Sequence, residues 1–189
     1  GGVVAFPRLV AAEYRKGFAG ELVKSGVAAI DQLLGGGIAA GSSTLVIGPA
    51  GTGKSLLTLN YVNAAIARGE RAAMFVFDEE LGLLLARAKD LGIDLAAMRD
   101  AHLLFIEQMD AAELTPGEFS HRVRQCVDRE RIRTVVIDSL NGYQAAMPEE
   151  QFLILDLHEL LQYLNRQGAA TFLTLAQHGV MGDMRQPVD

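Results

Sequence analysis

Five short apolar runs recur along the chain: STLVI at 43–47, AAMFVF at 72–77, HLLFIE at 102–107, RTVVID at 133–138 and ATFLTL at 170–175. They are continuous rather than alternating. Such runs predict strands buried on both faces, as in a parallel sheet. Between them lie segments of helical spacing. One spans 54–67 and is ended by Arg68-Gly69; another spans 81–91 and is ended near Gly92. Thr115-Pro116-Gly117-Glu118 supplies an N-cap, a proline at the first helical position and a capping-box glutamate, and opens a helix to about Arg131. Pro148-Glu149-Glu150 opens a long helix to about Gln167, and a short helix from Ser25-Gly26-Val27 through Leu34 is stopped by Gly35-Gly36-Gly37. The alternation predicts an α/β domain of three layers, a mostly parallel sheet with helices on both faces. Residues 1–24 show no period and read as an arm or inter-domain linker. Residues 25–189 read as the domain itself, cut short at its C-terminal end.

Composition adds boundaries. Half of the 189 residues are hydrophobic, enough for a sizeable core, and the length suits one domain with at most a short appendage. A net charge of −6 argues against general binding to duplex nucleic acid. The single cysteine, Cys126, excludes an internal disulfide and reads as a structural thiol in a reducing compartment. No apolar run reaches the about 20 residues of a membrane span, and no charged segment followed by an apolar stretch marks a signal peptide. A cytoplasmic protein is expected. The chain opens on Gly1-Gly2 and stops at Pro187-Val188-Asp189, soon after a strong strand, which reads as a portion of a longer protein.

The stretch GPAGTGKS at 48–55 carries the most chemistry. Gly48-Pro49-Ala50-Gly51-Thr52-Gly53-Lys54-Ser55 fits G-x-x-x-x-G-K-[ST], with a strand before it and a helix after it. Glycines let the chain curl round phosphates with its N–H groups inward, where a Cβ would block the approach. Lys54 would reach the β- and γ-phosphates, and the Ser55 hydroxyl would ligate Mg²⁺. Leu56 continues the loop into the helix, whose positive dipole end adds to the site.

Ligands of parallel sheets bind beyond the carboxyl ends of the strands. The fourth strand ends in Asp138, the expected second holder of Mg²⁺ beside a phosphate loop. An Asp that merely caps the turn SLNG at 139–142 is the plainer alternative. The second strand ends in Asp78-Glu79-Glu80. Adjacent carboxylates repel unless something cationic is near, and one glutamate would polarise the attacking water. An acidic first turn of the next helix explains them equally well. The fifth strand ends in Ala176-Gln177-His178. Gln177 is a candidate γ-phosphate sensor or an ordinary loop residue, and His178 reads as a solvated loop histidine. No N-K-x-D or T-K-x-D stretch follows the fourth or fifth strand, so ATP is favoured over GTP.

The stretch SGVAAIDQLLGGGIAAGSSTLVIGPAGTGKS resembles the opening of the KaiC-like ATPases of the RecA superfamily. The resemblance continues through FDEELGLLLARAKDLGIDL, RTVVIDSLNGY and TFLTLAQHG, and covers about residues 22–189. It implies a RecA-type P-loop fold, Mg·ATP as ligand, and Glu79 and Glu80 as paired catalytic carboxylates. Lys54, Ser55 and Asp138 match residue by residue. Asp78 stands where the family usually has an uncharged residue, and no role carries over to it. The resemblance further implies a hexameric ring, with lysines and arginines of a neighbouring subunit completing each site from segments beyond residue 189. VVAFPRLVAAEY looks like the joint between tandem domains, which makes this the second domain or part of it. Serine/threonine autokinase activity and signalling protein partners stay open on this sequence.

Two other classes compete. A recombinase-like, DNA-dependent ATPase would carry a basic loop after the fourth or fifth strand; SLNGYQAAM at 139–147 has no basic residue, and 179–186 has only Arg185. DNA is therefore not an expected partner. A nucleotide-binding scaffold with little turnover would tolerate loss of Lys54, Asp138 or Glu79, which are all intact.

Overall fold

The computed structural model describes residues 20–109, 115–146 and 153–177. Ser25-Gly26 leads into helix α1 (Ala28–Leu33), and Asp31 accepts hydrogen bonds from the Ser25 N–H and Oγ at 2.7 and 2.8 Å. Strands β1 (Leu22–Val23) and β2 (Ile38–Ala39) pair antiparallel on either side of it. Gly37 has φ 143°, and a Cβ there would come within 2.6 Å of the Val23 carbonyl, so glycine is needed for that close return.

The remaining elements are β3 (Ser43–Gly48), α2 (Lys54–Ala67), β4 (Ala72–Val76), α3 (Leu81–Asp90), α4 (Leu95–Asp100), β5 (Leu104–Gln108), α5 (Pro116–Glu130), β6 (Thr134–Asp138), α6 (Leu140–Ala146), α7 (Leu153–Arg166) and β7 (Ala170–Ala176). The five longer strands form one parallel sheet in the order β3-β7-β6-β4-β5. Alternate residues of β4 feed two cores. Ala72, Met74 and Val76 pack with Leu59, Tyr61 and Val62 of α2, Leu84 of α3 and Leu95 of α4. Ala73 and Phe75 pack on the other face with α5, α6 and α7, through Phe119, Val123, Tyr143, Leu160 and Leu164. This is the three-layer arrangement expected from the apolar runs.

Four details depart from the expectations. The run at 43–47 is an edge strand, not a buried one: Leu45 and Ile47 are 45% and 49% exposed, because no described strand pairs beyond β3. The run at 102–107 starts late, because His102 is left-handed with φ 57° and closes a turn before Leu104. Residues 140–146 are helix rather than loop. A short helix, α4, follows Gly92 and is capped by the Asp94 side chain, which accepts from the Ala97 N–H at 3.0 Å. The expected start of the long helix at Pro148 and residues 1–19 of the arm expected at 1–24 lie outside the described residues; the end of that arm, Leu22–Val23, is strand β1. Thr115 caps α5 as expected, accepting from the Glu118 N–H at 3.2 Å.

Cys126 is 7% exposed on the inner face of α5. Burial pushes its thiol up to about 12, with the carboxylates of Glu130 and Glu107 adding to the rise. At pH 8 the native thiolate fraction is then roughly 10⁻⁴, against about a quarter for an ordinary cysteine. A thiol reagent at pH 8 is expected to label the folded chain about 10³-fold more slowly than the urea-unfolded chain; equal rates would contradict the burial of α5.

Candidate active site

The phosphate loop turns out of β3 at Gly48 and enters α2 at Lys54. Gly51 and Gly53 have φ of 77° and 87°, which side chains bearing a Cβ rarely adopt. A Cβ on either would meet nothing within 4 Å and would project into open space where the loop curls. Thr52 Oγ1 donates to the Pro49 carbonyl at 2.8 Å and staples the turn. Lys54 Nζ lies within the loop, donating to the carbonyls of Gly48 at 2.9 Å and Pro49 at 2.7 Å. Gly51, Gly53, Lys54, Ser55 and Leu56 line a cavity of about 220 Å³ together with Leu59 of α2 and Arg87 and Leu91 of the α3 region.

Sheet order brings the other strand tips to this loop. Between β3 and β6 lies only β7, whose tip carries Gln177; the Gln177 N–H donates to the Gly48 carbonyl at 3.1 Å. Asp138 ends β6, and its Oδ1 accepts from Thr174 Oγ1 at 2.5 Å. Beyond β6 lies β4, followed by Phe77, Asp78, Glu79 and Glu80. The Glu79 carboxylate accepts from Arg87 Nη2 at 2.6 Å. Burial raises the Glu79 pKa, the Arg87 charge opposes that rise, and the Asp138 charge adds to it. The Asp138 charge thus reaches Glu79 across the strand tips.

The three acidic residues after β4 do not act as one group. Asp78 accepts a short hydrogen bond from Ser139 Oγ, and Ser139 in turn accepts from the Gly142 N–H at 3.3 Å. A Cβ at Gly142 would run into the Asp78 carboxylate and the Phe77 side chain. Glu80 is the residue before α3, and its carboxylate lies over Gly82. The first N–H of α3, at Leu81, is capped by Gln108 Oε1 at 3.1 Å.

Sequence reasoning missed several participants. Asn141 grips the tip of β7 twice: its Nδ2 donates to the Ala176 carbonyl at 3.2 Å and its Oδ1 accepts from the Ala176 N–H at 2.7 Å. That clamp fixes the backbone next to Gln177. Thr174 reads as one more residue of an apolar run, yet it orients Asp138. Arg87 reads as the polar face of a helix, and Glu79 stands two residues before that helix, so no helical period links the pair in the sequence.

The donor set fits Mg·ATP: a cradle open where a Cβ would project, an ammonium inside it, a hydroxyl at the helix start and carboxylates on neighbouring strand tips. A larger cavity, of about 960 Å³, lies at the amino ends of the strands among Arg71, Glu130, Arg133 and their neighbours. It has no phosphate loop and stands away from the strand tips, so size does not locate the chemistry here.

Fold and site together define a P-loop ATPase domain of RecA type. The sequence profile described as ATPase: KaiC matches residues 23–186, and the chain belongs to that family. The circadian clock protein KaiC2 of Synechocystis sp. is 30% identical over 86% of this chain and 28% of its own length. The circadian clock oscillator protein KaiC of Synechococcus elongatus is 40% identical over 44% of this chain and 16% of its own length. The namesake from Prochlorococcus marinus subsp. pastoris is 26% identical over 80% of this chain and 32% of its own length. The chain thus spans no more than about a third of the length of these curated relatives. No described helix is long and apolar enough to cross a membrane.

Proposed function

We propose that the chain binds Mg·ATP and hydrolyses it slowly, as a cytoplasmic clock-type signalling ATPase whose output is conformational. The observation that carries this reading is the convergence of the phosphate loop, Asp138 and Glu79 at adjoining strand tips. Lys54 and the amides of Gly51–Ser55 hold the β- and γ-phosphates, with Leu56 behind them. Ser55 and Asp138 would hold Mg²⁺, which when bound neutralises charge on the phosphate oxygens. Glu79 orients a water and takes its proton as the new P–O bond forms at the γ-phosphorus. The bond to the bridging oxygen breaks, and ADP leaves with that electron pair. Glu80 supports the charge balance from the start of α3, and Gln177, held by the Asn141 clamp, senses the γ-phosphate. The reading includes a hexameric ring in which a neighbouring subunit adds cations, since the described cations on the cavity are Lys54 and Arg87 alone.

A DNA-dependent ATPase finds less support. Residues 139–146, after β6, contain no basic side chain, and Leu140–Ala146 form α6 rather than an open loop. Calorimetric titration of ATP into the protein tests the proposal: binding is expected with Mg²⁺ and is expected to weaken on chelation with EDTA. Absence of binding in excess Mg²⁺ would sink the reading.

A further inference from the structure

The position of Arg87 joins two parts of the site. It sits on α3, lines the phosphate-loop cavity with Gly51, Gly53, Lys54 and Ser55, and donates to Glu79 at 2.6 Å. Its side chain is 48% exposed and that of Glu79 is 27% exposed. An ion pair so exposed contributes little to folding, so stability does not account for the placement. A guanidinium has five N–H donors in a flat fork, and one bond to Glu79 leaves the rest of the fork for a second acceptor. Arg87 shares its cavity with the phosphate loop, where the second acceptor would be a phosphate oxygen.

We propose that Arg87 bridges Glu79 to the terminal phosphate of a nucleoside triphosphate, so that one guanidinium both positions the base and reads the γ-phosphate. The inference rests on the ATPase reading above. Arg87 is then a phosphate-binding and positioning residue supplied by the same subunit. Without it Glu79 is left beside Asp138, and burial together with that neighbouring charge disfavours its ionised form. The bridge distinguishes triphosphate from diphosphate, because a diphosphate lacks the group that Arg87 contacts.

The test compares wild type, Arg87→Ala and Arg87→Lys in the full chain, with dissociation constants for Mg·ATP and Mg·ADP from calorimetry and unfolding midpoints from circular dichroism. Arg87→Ala is expected to weaken ATP binding about tenfold and ADP binding less than about threefold, the loss of one charge-assisted contact, with the midpoint unchanged. Arg87→Lys keeps charge but cannot span both acceptors, and is expected to recover part of the ATP affinity without restoring turnover. An unchanged ratio of ATP to ADP affinity in Arg87→Ala would overturn the inference and leave Arg87 as a surface ion pair. Failure of the wild type to bind either nucleotide would overturn the ATPase reading as well, so the two failures are separable.

Discussion

Lys54→Ala is expected to lower kcat/KM for ATP hydrolysis by about 10²–10³-fold or more, the usual loss when one charged donor to a developing phosphate charge is removed. Lys54 is placed for this by its backbone: it is the first residue of α2, immediately after left-handed Gly53, and its side chain lies in the loop rather than in solvent. The same substitution removes two hydrogen bonds to the carbonyls of Gly48 and Pro49. Each is worth about 1 kcal/mol net, and both carbonyls sit in a loop that water reaches. The fold should therefore survive, and the unfolding midpoint measured beside the kinetics separates a damaged site from a damaged domain. A variant that melts normally and hydrolyses ATP at the wild-type rate would remove the loop from the mechanism.

Glu79→Gln is expected to reduce turnover by about 10²–10⁴-fold, the range associated with a positioned general base, while ATP binding persists. Glutamine keeps the shape and can still meet the Arg87 guanidinium through its carbonyl oxygen, but it cannot take a proton. Because the folded-state pKa of Glu79 in the free protein lies above the ordinary 4.5, the ionised base is lost as pH falls through that raised value. The acid limb of the kcat/KM profile, which reports the free enzyme, is therefore expected above 4.5 in the wild type and absent from the residual rate of Glu79→Gln. Glu80→Gln is expected to cost far less, since that carboxylate lies over Gly82 at the start of α3. Equal losses in the two variants would mean that the pair works as a unit, contrary to the geometry.

Much of this site was legible because its logic is local. The phosphate loop is a contiguous string whose glycine positions, lysine and hydroxyl each answer to one physical demand. The strands β4, β6 and β7 announce themselves because both of their faces are buried. What stayed hidden depends on contacts between segments distant in sequence. Asn141 and Gly142 look like turn residues, but the Asn141 amide is occupied by the Ala176 backbone and the Gly142 position is crowded by Asp78 and Phe77, so α6 forms where a loop was expected. β3 looks as buried as its neighbours; only the strand order shows that it lies at an edge. The carboxylates at 78–80 could not be divided by composition. Their division comes from Ser139 just after β6, Arg87 on α3 and the start of α3 itself, each of which engages a different one.

The central claim is that this arrangement turns over ATP. The most direct measurement follows γ-labelled ATP with Mg²⁺ in one time course, recording free phosphate and protein-bound label for wild type and Lys54→Ala. The account predicts slow release of free phosphate by the wild type and none above background by Lys54→Ala; label retained on the protein would add an autokinase step at the same site. ATP bound by the wild type with neither free phosphate nor labelled protein would contradict it, and would make the domain a nucleotide-binding scaffold.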